Sequence, residues 1–275
     1  AAALRKHAGG MFLAKAAAAM PRGEAFSCRQ ENDLNLFLRL RGETKGHGPW
    51  ALEGYIIGGG IDLTREDGRA ANELRPVTIT TDFVKFAEGS CLIQCGDTMV
   101  LCCASVEEKT PPHVPYGEGW VTAEYSMLPR ANRERSRRDV SKLKVSPRSA
   151  EIQRLVGRSL RSAVDMKKLG ERTITVDCDV LQGDGGTRTA SVTGGFVALA
   201  LACRRLVENG DLGASPIRHY VTGVSAGIVD DTALLDLRYS EDSRAQVDLN
   251  CVMNELGELI EIQGTGEGRA FSPAE

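Results

Sequence analysis

The chain has 275 residues, of which 42% are hydrophobic and 26% charged, and carries a formal net charge of −3. That length can bury a sizeable core in one domain or two small ones, and the composition is that of a globular protein rather than a disordered or fibrous one. The slight acidity excludes a generally basic nucleic-acid coat, and no stretch reads as long and apolar enough to cross a bilayer, so no membrane partner is expected.

Residues 1–64 show no steady periodicity. The first 23 contain no acid and are rich in alanine, without an apolar core followed by a cleavage site, and glycine recurs in "RGETKGHGPW" and "IIGGG". This part reads as an irregular extension of disordered character.

Order begins in "RPVTITTDFVKFAEGS", where Val77 and Ile79 alternate with threonines and Val84 and Phe86 continue the strand-like pattern. "SCLIQCGDTMVLCCASVE" predicts two strands joined at Gly96-Asp97 as a hairpin. The block from Arg130 to Arg148 carries eight basic residues against two acids. Such a block is either a solvated loop or a polyanion-binding surface.

Ile152, Leu155, Val156, Leu160, Ala163 and Val164 then recur at helical spacing, with Arg154, Arg158 and Arg161 off the apolar stripe. Ser149 is positioned to cap this helix and Gly170 to end it. In "RTITVDCDVLQ", Ile174, Val176, Cys178 and Val180 alternate as in a half-buried strand. "TASVTGGFVALALACRRLVENG" reads as a buried helix stopped at Asn209-Gly210, where Gly194-Gly195 signals a close backbone approach. "YVTGVSAGIVD" and the runs after it read as further strands. The eight cysteines (Cys28, Cys91, Cys95, Cys102, Cys103, Cys178, Cys203 and Cys251) include no CxxC pair and fall mostly in apolar runs. They predict buried free thiols in a reducing compartment and no structural zinc. The order of elements predicts an α+β fold in which a mixed β-sheet packs with helices in two related βαβ-like halves.

Three sets of residues carry chemical potential. Between a strand and a helix lies "GDGGTR": glycines there let backbone amides converge on an anion, Thr187 adds a hydroxyl, Arg188 a charged fork, and a helix starting at Thr187 adds free amides. A structural turn with a capping threonine fits the same letters. Asp242 and Asp248 are six apart and share a face if the strand is continuous. They can hold Mg²⁺, serve as a general acid, or be solvated edge residues. Finally, Arg130, Arg133, Arg135, Arg137 and Arg138 in the basic loop, with Arg148 beside the helix, suit phosphodiesters.

Beyond these sets, the chain carries in order "DGRAANELRPVTI", "FAEGS", "GDTMVLCCASVEE", "GWVTAEYSMLPR", "EIQRLVGRSLRSAVD", "ITVDCDVLQGDGGTRTASVTGG", "VSAGIVD", "EDSRAQVDLN" and "IEIQGTGEG". In this order, from about Asp67 to Phe271, the series resembles the ribonuclease PH family of phosphate-dependent exoribonucleases. The resemblance implies a ribonuclease PH-like fold, also described as ribosomal protein S5 domain 2-like, over residues 65–275. It also implies a C-terminal helix that the given sequence lacks. The implied activity is that of a phosphate-dependent tRNA nucleotidyltransferase. It trims the 3′ ends of tRNA precursors and other RNA in the cytoplasm, using inorganic phosphate as co-substrate and releasing nucleoside 5′-diphosphates in a reversible reaction. By matching motif, Arg148, Gly186, Thr187 and Arg188 would bind phosphate, Asp242 and Asp248 would hold Mg²⁺ and act with Arg188 in catalysis, and the basic-loop arginines would meet RNA. A homo-hexamer built as a trimer of dimers is implied as well. The rival expectation is a catalytically silent RNA-binding or structural subunit of an RNA-degrading ring.

Overall fold

A computed structural model describes residues 25–28, 65–138 and 145–275. The first half builds a hydrogen-bonded series of strands, β1 (Ala25–Cys28), β2 (Val77–Thr81), β3 (Gly89–Cys95) and β4 (Thr98–Glu107), with burial alternating most regularly along β4. The predicted hairpin is β3–β4, with Cys95 paired to Thr98 across a two-residue turn and Gly96 at φ 56°. Strand β2 stops sooner than expected. Asp82 adopts a left-handed φ of 52°, and the amide of Val84 turns back to the Ser90 hydroxyl at 2.9 Å, so Val84 and Phe86 belong to a loop. Within residues 1–64 one segment is described. Ala25–Cys28 pairs antiparallel with β2 and covers a sheet edge whose amides and carbonyls would otherwise stand open. The remainder of 1–64, like 139–144 in the basic block, lies outside the described residues.

Strand β5 (Trp120–Met127) runs parallel to β6 (Thr173–Gln182), completing the order β1-β2-β3-β4-β6-β5. Parallel neighbours need a crossover, supplied here by α1 (Pro147–Ser162). Ser146, not Ser149, caps α1: its hydroxyl accepts from the Ser149 amide at 3.0 Å, and Pro147 takes the first helical position, where a missing N–H costs nothing. The helix ends before Gly170 because Val164 bridges to Ile217 and the Asp165 amide bonds the Pro216 carbonyl. Asp165 then caps the short α2 (Met166–Leu169), accepting from the amides of Lys167 and Lys168, and Gly170 closes it.

The predicted buried helix is α3 (Thr187–Glu208), which packs on β3, β4 and β6 on one side and on β7 (Val221–Val229) and β9 (Val247–Asn254) on the other. Contrary to expectation, α3 is long and apolar enough by length and composition to cross a membrane. Its apolarity on all sides instead reflects enclosure between two sheets. At Gly194 the helix comes so close to the first sheet that a Cβ would lie 2.7 Å from Ile93 and 2.8 Å from Cys102. The second sheet has the order β10-β9-β7-β8, with β8 at Thr232–Leu235 and β10 at Leu259–Gly266. Both β8 and β9 run antiparallel to β7, so they are parallel to each other and joined through the short helix α4 (Tyr239–Asp242). Each half thus contains a strand–helix–strand link, β5–α1–β6 and β8–α4–β9, in a mixed α+β architecture. The seven described cysteine side chains are free thiols, and Cys91, Cys102 and Cys178 align across β3, β4 and β6.

Candidate active site

The glycine-rich loop opens α3 as the sequence predicts. Gly185 and Gly186 take left-handed φ values of 78° and 65°, and Gly186 is the N-cap, with no side chain capping the first-turn amides. Those amides have no intrahelical carbonyls and carry the positive end of the helix dipole, which favours an anion. Gly185 is also a point of contact: a Cβ there would meet the Leu237 carbonyl oxygen at 2.5 Å and the Tyr239 nitrogen at 2.9 Å. The loop therefore rests directly on the segment that leads into α4.

This contact brings the two aspartates to the loop, though not by the expected route. Asp242 is the last residue of α4 and Asp248 lies in β9, so they do not share one continuous strand. Glu241 accepts from the Arg238 amide at 3.0 Å and helps wind the intervening chain into a helical turn. Even so, the pair interact. Burial raises the Asp242 carboxyl above its ordinary range, with Glu267 adding to the rise while Arg148 and Arg188 oppose it. Burial also raises Asp248, reinforced by Asp242 and Glu267 and opposed by Arg188 and by the Asn250 amide at 3.3 Å. Arg188 thus acts on both acids, and Arg148 acts on Asp242.

Arg188 is held between the two halves of the molecule. Its Nη1 donates to Glu151 of α1 at 3.1 Å and to Gln263 of β10 at 3.0 Å. Thr187 is buried, and its hydroxyl lies 2.9 Å from the Tyr125 hydroxyl. Burial raises the Tyr125 phenol, while the bond to Thr187 and the charges of Arg148 and Arg188 pull the other way. Arg130, Arg133, Arg135, Arg137 and Arg138 are all exposed. Their loop is rooted at the same place, since the Ala131 carbonyl accepts from the Gly183 amide at 2.9 Å. Among the described residues, no three His, Cys, Asp or Glu side chains are grouped to hold a metal ion, so any metal here would rest on the aspartate pair and on substrate oxygens.

Sequence reasoning missed the layer behind the loop. Arg65 forms a two-pronged pair with Glu241 at 2.7 and 2.6 Å, Arg69 donates to the Asp236 carbonyl at 3.1 Å, and Arg75 grips the Asp236 carboxylate. These ion pairs outweigh the effect of burial and hold the Asp236 and Glu241 carboxyls below their ordinary ranges. Glu151, Gln263, Tyr125 and Glu267 were missed too. The arginines of "REDGRAANELR" were a signal, but their partners lie far along the chain.

An oxyanion loop with arginines on one side and buried carboxylates on the other suits chemistry in which a phosphorus–oxygen bond is exchanged; the class is a phosphoryl-transfer enzyme. Comparison with known proteins narrows that class. The two models of the 3′ exoribonuclease family match successive parts of the chain, domain 1 over residues 73–204 and domain 2 over residues 219–275. Ribonuclease PH of Moorella thermoacetica is 56% identical over 211 residues, covering 76% of this chain and 84% of that protein. The Archaeoglobus fulgidus exosome with RNA bound to the active site is similar at a TM-score of 0.66 and 26% identity, over 78% of this chain and 85% of that one. Rice Rrp46, at 20% identity and a TM-score of 0.60 over 76% of this chain and 88% of that one, shares the fold. The chain belongs to the ribonuclease PH family of 3′ exoribonucleases, and its activity is phosphorolytic shortening of RNA from the 3′ end.

Proposed function

We propose that this enzyme trims the 3′ ends of tRNA precursors in the cytoplasm, as a homo-hexamer arranged as a trimer of dimers, and that residues 65–275 form its catalytic domain. The observation that supports the site assignment is the seating of Gly185 on the Leu237–Tyr239 segment, which leads into the short helix that ends at Asp242. Attacking phosphate binds the amides at Gly186 and Thr187, the Thr187 hydroxyl and the guanidinium groups of Arg188 and Arg148. Glu151 and Gln263 fix Arg188 so that little reorganisation is needed when phosphate enters. A phosphate oxygen attacks the terminal phosphorus as the bond to the 3′ oxygen of the preceding nucleotide breaks. That oxygen takes up a proton, and a nucleoside 5′-diphosphate leaves. The bonds exchanged are similar in energy, so the reaction runs in both directions.

Asp242 and Asp248 are two part-buried carboxylates, each raised by burial and Asp248 also by the charge of Asp242, and a divalent cation would relieve that repulsion. They fit Mg²⁺, which commonly rests on one or two carboxylates plus substrate phosphates and would supply charge neutralisation to the transferred phosphoryl group. The exposed arginines at 130, 133, 135, 137 and 138 meet the RNA backbone beyond the cleft.

The deciding assay uses tRNA carrying extra 3′ nucleotides, with Mg²⁺, with and without phosphate. Nucleoside diphosphates released only when phosphate is present are expected. Phosphate-independent release of monophosphates overturns the reading, and RNA binding with no shortening points to a silent ring subunit.

A further inference from the structure

The residues that would touch phosphate are not the ones that shape its loop. The Asp184 carbonyl accepts from Arg75 Nη1 at 2.6 Å, and the Gly185 carbonyl accepts from the Thr98 hydroxyl at 2.7 Å and from Arg75 Nη2 at 3.4 Å. The same Thr98 oxygen accepts from the Asp184 amide at 2.9 Å. In a planar trans peptide the carbonyl and the next amide point in opposite directions. Fixing these two carbonyls inward therefore turns the amides of Gly185 and Gly186 away from Arg75 and Thr98.

Arg75 is itself immobilised, with a side chain only 4% exposed. Its backbone amide and Nε donate to Asp236 Oδ2 at 2.8 and 3.0 Å, and Nη2 donates to Oδ1 at 2.7 Å. Asp236 has a left-handed φ of 54°, a conformation that a non-glycine residue keeps only when its surroundings impose it. Here they do: its amide bonds the Ser225 carbonyl at 2.7 Å, and its own carbonyl accepts from Arg65 and Arg69. Asp236 lies in the segment that leads into α4 and Asp242.

We propose that Arg75, Thr98 and Asp236 form a positioning clamp that holds the turn at Gly185, aims the Gly186 amide at the attacking phosphate and fixes the phosphate loop against the segment that leads to Asp242. None of the three touches substrate. The clamp rests on the assignment of phosphate to this loop, so its test must separate the two ideas.

The test compares steady-state kinetics of the wild type, Thr98→Val, Thr98→Ser, Arg75→Lys and Arg188→Ala, with phosphate and RNA varied independently and folding checked by thermal melts. Thr98→Val keeps the side-chain shape but removes the hydroxyl; we expect its KM for phosphate to rise roughly 10-fold, with kcat and KM for RNA nearly unchanged, because the Asp184 amide loses its partner and the Gly185 carbonyl keeps only the long bond from Arg75. Thr98→Ser restores the wild-type KM. Arg75→Lys keeps charge against Asp236 but loses the fork, raising the KM for phosphate and lowering kcat as well. If the Thr98 and Arg75 variants fold and keep the wild-type KM for phosphate while Arg188→Ala raises it, the clamp is wrong and the phosphate site stands. If Arg188→Ala leaves that KM unchanged too, the phosphate site is wrong and the clamp falls with it. Failure of Thr98→Ser to restore the KM overturns the clamp. If Arg75→Lys does not fold, the Thr98 pair decides alone.

Discussion

Two groups of arginine in this enzyme work under opposite conditions. Arg65, Arg69 and Arg75 are buried, and the hydrogen bonds they donate end on Asp67, Asp236, Glu241 or backbone carbonyls. Arg130, Arg133, Arg135, Arg137 and Arg138 are exposed, and in this group Arg130 is tied to the Arg133 carbonyl at 2.8 Å. A buried guanidinium is held by its partners and would leave an uncompensated charge if one were removed. An exposed one is hydrated, screened by salt and free to follow a flexible polyanion. The first group can set geometry to fractions of an ångström, and the second can supply affinity without fixing a pose.

The comparison is broken most severely by removing a buried partner. Arg65→Met should destabilise the fold by about 3–5 kcal/mol, because Glu241 is left charged and buried. Chemical denaturation would show it, and a loss below about 1 kcal/mol would mean water reaches Glu241 after all. Next in size, Asp248→Ala should lower kcat at least about 100-fold with phosphate in excess while the melting temperature holds. Arg188→Ala should raise the KM for phosphate roughly 10-fold or more, read from phosphate titrations at saturating RNA.

A pH series sharpens the contrast. Asp242 and Asp248 titrate above the ordinary aspartate value of 3.8, so activity that needs them ionised should fall first as pH drops. Asp236 and Glu241 have depressed values in the folded state. Their stabilisation is present above the ordinary values of 3.8 and 4.5 and is lost only as pH falls through and below them. Initial rates and circular dichroism over the same pH range should therefore show activity lost before structure. The smallest effect belongs to the exposed group: Arg135→Ala should raise the KM for RNA only a few-fold and reduce the slope of log affinity against log salt by about 0.7.

Much of the frame was legible because it is local. Alternation at Ile174, Val176, Cys178 and Val180 marks β6, and the glycine pair in α3 marked a close approach that Gly194 makes. The loop at Gly185–Arg188 was readable from its letters and its place between strand and helix. What failed was geometry decided elsewhere in the chain. Asp242 and Asp248 were brought together in the sequence reading by strand parity, whereas the structure does it through a helical turn wound by Glu241 and Arg238. The apolar pattern starts near Ser149 and points to it as the cap of α1, but Pro147 moves the first turn back to Ser146. The Arg65 and Arg75 contacts join residues 176 and 161 positions apart, a relation that no local pattern encodes.

The burial of α3 between both sheets bears on how the chain can be cut. The family's two domains divide on either side of residues 205–218, yet the helix that fills the space beneath the second sheet belongs to the first. A chain severed in that interval yields a C-terminal fragment whose β7 and β9 have lost the surface they fold against, and an N-terminal fragment with one side of a 22-residue apolar helix bare. Neither piece should hold its fold alone, whereas their bare faces are complementary. Co-expressed, they should reassemble as a nicked enzyme, with the boundary between family domains serving as a permissible break in the covalent chain and not as a border between folding units.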